Sequence, residues 1–209
     1  MGSSHSRRLV EYLGKSDKGL KCIASLSISG VRICELKKCF KIEHVKFTAD
    51  VPLVVFVGGN DILNGVAVEI VKGQYLSLVR LIRRKLPNIN LFLICLPIFP
   101  RSTNKPTEVE ALQNFNLFLN SLSNDRTFTI ALNLYVRSPD NFHRFYPRSN
   151  RPDLLHLNAR GYEVLVGLLL PHYKNKSVIC PPVKQHDLLP SGVISCRSSC
   201  VPCDQPSEL

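Results

Sequence analysis

Four short polar blocks along the chain carry side chains that together could perform acyl transfer through a serine. They are GSSH at residues 2–5, SG at 29–30, GGND at 58–61 and DLLH at 153–156. This chemistry needs a nucleophile, a base, a group that orients the base, and hydrogen-bond donors for the oxyanion that forms. No single block is specific, but each lies beside an apolar or helical run. The four blocks in this order therefore predict a serine hydrolase.

The elements that must position these blocks alternate along the sequence. Short apolar runs typical of strands are followed by segments in which apolar residues have helical spacing. The predicted strands are 21–28, 51–58, 89–96 and 128–134, and the predicted helices are 5–13, 66–86, 107–122 and 159–170. Thr107 and Glu110 have the spacing of a capping box for the helix 107–122, and Asn158 is the predicted N-cap of the last helix.

This alternation predicts a three-layer α/β/α domain with a parallel sheet and right-handed crossovers. The runs 51–58 and 89–96 are almost continuous in Val, Ile, Leu and Phe, as in strands that are covered on both faces. Ligands of such sheets bind beyond the carboxyl ends of the strands. Because Gly30 and residues 58–61 directly follow strand-like runs, we expect them at that edge.

With their flanking residues, the four blocks resemble those of the SGNH (GDSL-type) hydrolases over about residues 1–172. GSSHSRRL is similar to the Gly-Asp-Ser block, SISGVRICEL to the glycine block, VVFVGGNDI to the Gly-x-Asn-Asp block, and DLLHLNARGYEVL to the Asp-x-x-His block with the final helix. The likeness is closest to invertebrate and retrotransposon-associated SGNH esterase-like domains. It implies a flavodoxin-like parallel sheet and an esterase without cofactor or metal.

The resemblance also implies roles for individual residues. Ser4 would be the nucleophile, His156 the general base, and Asp153 the carboxylate that fixes the histidine tautomer. Gly30 and the Asn60 side-chain amide would complete the oxyanion hole with the backbone N–H of Ser4. The implied substrate is a small carboxylic ester cleaved through an acyl-serine intermediate, with acyl and alcohol groups left open.

Each block also has a purely structural interpretation. Ser4 could be a helix N-cap, residues 58–61 an ordinary turn after a strand, and residues 153–156 a polar loop that caps the last helix. Asp61 is expected to hold its loop rather than to do chemistry. The remaining histidines show no metal-ligand spacing and are interpreted as surface or packing residues, namely His5, His44, His143, His172 and His186. Three aromatic residues could either line the substrate pocket or fasten a loop over the core, namely Phe142, Phe145 and Tyr146.

Two departures from the family pattern favour an alternative hypothesis. The family has Asp where this chain has Ser3, and that change would alter the hydrogen bonds around the nucleophile. The family also places a buried strand before this block, whereas Met1 directly precedes Gly2, so the first strand is expected to be truncated. The alternative is therefore a catalytically impaired or truncated SGNH-fold protein, which could serve as a nucleic-acid-associated module of a retroelement.

Charge and cysteine content set further expectations. The chain has a net charge of +11, and its last 33 residues carry two Lys/Arg against three Asp/Glu, so residues 1–176 carry +12. This excess could support weak association with nucleic acid or could be an ordinary solvated basic surface. The eight cysteines and the lack of an apolar signal segment predict a reduced, intracellular protein, in the cytoplasm.

The chain is expected to contain one folded domain, at residues 1–176, followed by a disordered tail at 177–209. The tail is rich in Pro, Ser and Cys, and it lacks long apolar runs. Its clustered cysteines lack a well-spaced fourth ligand for zinc. No apolar run is long enough to be a transmembrane segment, and the oligomeric state is left open.

Overall fold

The structure is a computed structural model that describes residues 1–15, 27–39, 52–135, 142–147 and 155–173. Three short strands form a parallel sheet, and helices connect and flank them. The strands are β1 (Leu53–Val55), β2 (Leu91–Ile94) and β3 (Thr127–Ile130). The helices are α1 (Ser4–Gly14), α2 (Ile33–Cys39), α3 (Gly59–Leu63), α4 (Val68–Lys85), α5 (Pro106–Ser121), α6 (Leu132–Tyr135), α7 (Phe142–Phe145) and α8 (Ala159–Tyr173).

The sheet has the order β1-β2-β3, with both pairs parallel. The predictions at 51–58 and 89–96 are confirmed, while most of the predicted strand 21–28 lies outside the described residues. The prediction at 128–134 is wrong in its second half, because β3 ends at Ile130 and α6 begins at Leu132. Ile130 pairs with Ile94, the last residue of β2, so the chain beyond it has no ladder partner on that strand.

The predicted long helices are confirmed with small shifts at their ends. Asn158 caps α8 as expected, since its side-chain oxygen accepts a hydrogen bond from the Gly161 N–H at 3.0 Å. The predicted capping box of α5 is wrong. That helix begins one residue earlier, at Pro106, whose fixed φ and missing N–H suit the first helical position.

The helices form two sets, consistent with a layer on each face of the sheet. Helix α4 contacts α2 and α5, whereas α8 contacts α1, α6 and α7. All four residues of β2 are buried, as expected for a strand covered on both faces. Phe92 of β2 lies against His172 of α8, with ring centroids 5.3 Å apart. This arrangement is the α/β class that the sequence predicts.

The main chain of Met1 and Gly2 lies beside β1 in the manner of a strand that ends there. Gly2 forms parallel bridges with both Ser27 and Phe56. The Phe56 N–H donates to the carbonyl of Met1 at 3.0 Å, and the Ile28 N–H donates to that of Gly2 at 3.1 Å. A Cβ on Gly2 would lie 2.1 Å from the Phe56 carbonyl oxygen, so only glycine fits. Ser4 therefore follows directly after a strand-like segment.

No helix among the described residues is long and apolar enough to cross a membrane. Within the same ranges, no group of His, Cys, Asp and Glu side chains is arranged to hold a metal ion. The predicted tail 177–209 lies outside the described residues, and the division into a domain at 1–176 and a tail stays a prediction.

Candidate active site

The side chain of Ser4 lies at the start of α1, close to the carboxyl ends of the strands. Ser3 occupies the N-cap position without a side-chain capping bond, and Ser4 is the first helical residue. The Ser3 N–H donates to the Phe56 carbonyl at 3.2 Å, next to β1, and α1 begins at the following residue. The N-cap interpretation of Ser4 is therefore wrong. Its hydroxyl has a different partner.

That partner is His156, 152 residues later in the chain. The Ser4 Oγ atom lies 2.5 Å from His156 Nε2, which is hydrogen-bond distance. His156 precedes α8, whose start is fixed by the Asn158 cap, so the ring is carried by an anchored loop end. Its predicted carboxylate partner, Asp153, lies outside the described residues. The structure thus brings together the two side chains that the resemblance predicts as nucleophile and base.

Gly30 lies in a turn before α2 and Asn60 lies in the short helix α3, and a hydrogen bond links the two segments. The Asn60 amide Nδ2 donates to the Val31 carbonyl at 3.0 Å, directly after Gly30. Gly30 has φ of 72°, a left-handed conformation that favours glycine. Ser4, Gly30, Asn60 and His156 all line one cavity of about 190 Å³. An amide nitrogen has two donors, so Asn60 retains one that is not used by Val31.

Gly58 allows the sharp change of chain direction between β1 and α3. Its φ is 110°, and a Cβ at this position would lie 3.0 Å from the ring of Phe115. The chain therefore turns sharply after β1 into the short helix α3, which carries Asn60 and Asp61. Residues 58–61 are therefore the N-cap and first residues of a short helix rather than an ordinary turn, and this helix presents Asn60 to the cavity.

The Asp61 side chain links α3 to the start of α2. Its buried carboxylate accepts the Ile33 N–H at the start of α2, with oxygens at 3.2 and 3.3 Å. This contact agrees with the expectation that Asp61 supports its loop. Burial raises the pKa of the Asp61 carboxyl to about 6, although the Ile33 N–H partly opposes that change.

The raised pKa gives a testable dependence of stability on pH. The folded state binds the Asp61 proton more tightly than the unfolded chain does, so stability falls as pH rises from about 4 through about 6. Each pKa unit is worth about 1.4 kcal/mol, which makes the expected loss about 3 kcal/mol. Asp61→Asn should remove this dependence. The measurement is the free energy of urea unfolding from pH 4 to pH 8.

The matched control is Asp125→Asn, which removes one exposed carboxylate just before β3, away from α2 and α3. The difference in unfolding free energy between wild type and Asp61→Asn should change across this pH range. A constant difference would contradict the raised pKa of Asp61.

The cavity wall includes residues that the sequence did not indicate. His5 is buried, and its ring lies 5.0 Å from that of His156 and 4.7 Å from that of Phe56. Its Nε2 is 3.0 Å from the Leu155 carbonyl oxygen, so the residue is a packing histidine inside the site. Its position next to Ser4 was the available signal, but adjacency in a helix does not fix the direction of a side chain.

The aromatic residues of 142–146 pack on the core and do not line this cavity. The Tyr146 ring is buried, and its hydroxyl donates to the Ile98 carbonyl at 3.2 Å. Phe142 and Phe145 are half-buried against the same core. Of the two interpretations, the structure favours a segment fastened over the core.

Comparisons with known proteins indicate the family of the chain and the class of its fold. The model of the GDSL-like Lipase/Acylhydrolase family matches residues 2–164. No curated protein sequence matches the chain significantly.

Three solved structures are similar in fold. The CTD of Drosophila Oskar protein is 16% identical, with a TM-score of 0.66 over 83% of this chain and 86% of that one. A member of the lipolytic protein G-D-S-L family from Veillonella parvula is 16% identical, with a TM-score of 0.64 over 84% and 96%. A GDSL-like lipase from Bacteroides thetaiotaomicron is 16% identical, with a TM-score of 0.64 over 84% and 86%.

Proposed function

Because the chain belongs to the GDSL-like lipase/acylhydrolase family, we propose that it is a serine esterase that cleaves a small carboxylic ester through an acyl-Ser4 intermediate. The observation that carries this proposal is the 2.5 Å contact between Ser4 Oγ and His156 Nε2. Two residues 152 positions apart meet in a cavity that also presents Gly30 and Asn60. A structural role for each residue alone gives no reason for them to meet.

In the first half-reaction, Ser4 attacks the ester carbonyl carbon while its proton passes to His156 Nε2. The new Oγ–C bond gives a tetrahedral intermediate with a negative oxygen. His156 then donates the proton to the alcohol oxygen as the C–O bond breaks, and the alcohol leaves. Asp153, three residues before His156, would hold the ring in the tautomer that accepts at Nε2.

In the second half-reaction, water attacks the acyl-Ser4 carbonyl and gives one proton to His156 Nε2. The bond between Ser4 Oγ and the acyl carbon breaks, the proton returns to Ser4, and the carboxylic acid leaves. The oxyanion of both steps would accept hydrogen bonds from the Ser4 and Gly30 backbone N–H groups and from Asn60 Nδ2. The start of α1, an 11-residue helix, adds a favourable positive dipole.

The test is hydrolysis of short-chain p-nitrophenyl esters by the purified chain, with labelling of Ser4 by a fluorophosphonate probe. We expect turnover and labelling. The competing hypothesis is an impaired enzyme, motivated by Ser3 in place of Asp. If the chain showed no turnover and no labelling, the esterase proposal would be rejected in favour of that hypothesis.

A second candidate function, association with nucleic acid, is favoured by a basic edge of the domain. Residues 70–107 contain seven Lys/Arg and no Asp or Glu. Basic side chains, exposed except for the half-buried Arg83, lie near the end of α4 and the start of β3, at the sheet edge opposite Ser4. We define this basic edge as Arg80, Arg83, Arg84, Lys85 and Arg126.

The structure of the basic edge suits an anionic partner. Arg83 is held by the carbonyls of Ile89 and Arg126, and burial together with the nearby Arg126 lowers its pKa. Clustered like charges repel each other unless an anion binds, which phosphate groups can do. Such an activity would also suit a domain associated with a retroelement.

We expect binding of a fluorescent single-stranded RNA that weakens steeply as salt increases. The triple variant Arg80→Glu, Arg84→Glu, Lys85→Glu should bind about tenfold more weakly, or worse. The control has the same charge change at Arg7, Lys72 and Lys105, each of which is paired with a glutamate. Equal loss in both triple variants, or no binding by the wild type, would reject the basic edge as a nucleic-acid surface.

A further inference from the structure

The cavity beside Ser4 has an apolar end that the proposed chemistry does not use. Its walls there are buried side chains that belong to the hydrophobic core. They are Phe56, Val57, Leu63, Leu96 and Phe99. The other side of the cavity is open, because Ser29 and Gly30 are exposed. From this difference in burial we infer that the apolar residues form the closed end of the cavity and that Ser29 and Gly30 lie at its opening to solvent.

The closed end is held by the backbone as well as by packing. The Asn116 side chain accepts the Leu96 N–H at 2.7 Å and donates to the Leu96 carbonyl at 2.8 Å. The Phe99 ring fits against Gly59, where a Cβ would lie 3.1 Å from it. Arg101 donates to the Leu63 carbonyl at 3.0 Å. These contacts fix the backbone at Leu96 and Leu63 and pack the Phe99 ring closely against Gly59.

The size of the cavity limits what can enter. Its volume is about 190 Å³, whereas pockets for drug-sized ligands span roughly 300–1,000 Å³. A cavity of about 150 Å³ holds one benzene molecule. There is room for an acyl group of a few carbons, and a long fatty chain would meet Phe99 and Leu96.

The chemistry decides which part of the ester enters the closed end. The leaving alcohol must lie near His156, which donates a proton to it, and it must be able to depart. An alcohol of any size can lie on the open side and leave from there into solvent. The closed side suits the group that stays bound to Ser4 in the intermediate, which is the acyl group.

We propose that this apolar end is an acyl subsite, closed by Phe99, that selects esters of short-chain acids from acetate to butyrate. The inference rests on the proposed esterase function. It adds to it the class of substrate, namely a short acyl group on an alcohol whose size the pocket does not restrict.

Two series of esters test the subsite. In p-nitrophenyl esters from acetate to octanoate, the wild-type kcat/KM should peak at acetate or butyrate and fall at least about tenfold by octanoate. Phe99→Ala should move the optimum to hexanoate or octanoate. The milder Phe99→Leu should move it less, and Leu63→Phe should narrow the preference toward acetate. Alkyl acetates with longer alcohols should show no comparable change in any variant.

The matched control is Phe92→Ala. Phe92 and Phe99 are each 2% exposed, but Phe92 packs between Phe128 and His172, away from the cavity. An equal shift in chain length for Phe92→Ala and Phe99→Ala would overturn the subsite. So would a wild type that hydrolyses all acyl lengths equally, or a Phe99→Ala effect confined to the alcohol series. Absence of all hydrolysis and of Ser4 labelling would instead reject the esterase function itself, and the subsite with it.

Discussion

Ser4→Ala and His156→Ala are each expected to lower kcat for p-nitrophenyl acetate by about 10⁴-fold or more. In the proposed mechanism the hydroxyl and the imidazole act as one unit, since the proton that leaves Ser4 is the one that His156 carries to the alcohol. Their 2.5 Å contact is the geometric basis for this expectation. The double variant should therefore be no slower than either single variant within a factor of a few, because removing half of the pair already removes its function.

The chain offers matched controls for both changes. Ser3 and Ser6 are buried in the same helical turn, with 7% and 5% exposure against 8% for Ser4. Ser3→Ala and Ser6→Ala should retain activity within about tenfold and should still react with the fluorophosphonate probe. His172→Ala is the control for loss of an imidazole, since His172 lies far from the cavity on α8. Hydrolysis that survives Ser4→Ala would contradict the assignment of the nucleophile.

Much of the fold could be predicted from the sequence because the apolar patterns are strong. Runs such as 89–96 are long and nearly free of polar residues, so their burial in a parallel sheet follows from composition. Helices α4, α5 and α8 follow from the spacing of their apolar residues, and Asn158 marks the start of α8. The end of β3 could not be predicted this way. Residues 131–134 are apolar except for Asn133, so the apolar run continues beyond Ile130, while pairing with β2 stops there.

The meeting of Ser4 and His156 could be predicted only through resemblance. No local pattern joins residues 152 positions apart, and each of the two blocks has a structural explanation by itself. Order along the chain and the expected sheet edge made the contact a reasonable hypothesis. The partner of Asp61 could not be predicted from the sequence either, because the Ile33 N–H is 28 residues away, at the start of α2.

The positions of His5 and Phe99 in the cavity wall depend on tertiary packing, which no local sequence pattern indicates. His5 is one residue from the proposed nucleophile, yet its burial against Phe56 arises from the angle at which α1 leaves the sheet. Phe99 follows β2 in an apolar run that the sequence would assign entirely to the core. Only the small Gly59 beside it leaves room for the ring to close a cavity. The proposed acyl subsite therefore depends on contacts between segments that are distant in the sequence.

Asn60→Ala is expected to lower kcat by about 10²–10³-fold while KM changes little. The side-chain amide would bind the oxyanion, and full negative charge on that oxygen exists only near the transition state. The substitution also removes the bond from Asn60 to the Val31 carbonyl, and a bond of this kind contributes about 1 kcal/mol to stability. The measurement is therefore steady-state kinetics together with urea unfolding of the same variant.

The control must disturb the same loop without removing a donor from the cavity. Asn64→Ala does so, because the exposed Asn64 side chain donates to the Asn60 carbonyl at 2.7 Å and does not line the cavity. We expect Asn64→Ala to lose stability like Asn60→Ala but to keep kcat within about tenfold. If both variants lost kcat equally, Asn60 would serve to hold the loop. If Asn60→Ala raised KM at unchanged kcat, its amide would bind the substrate in the ground state, and the oxyanion hole would consist of backbone groups.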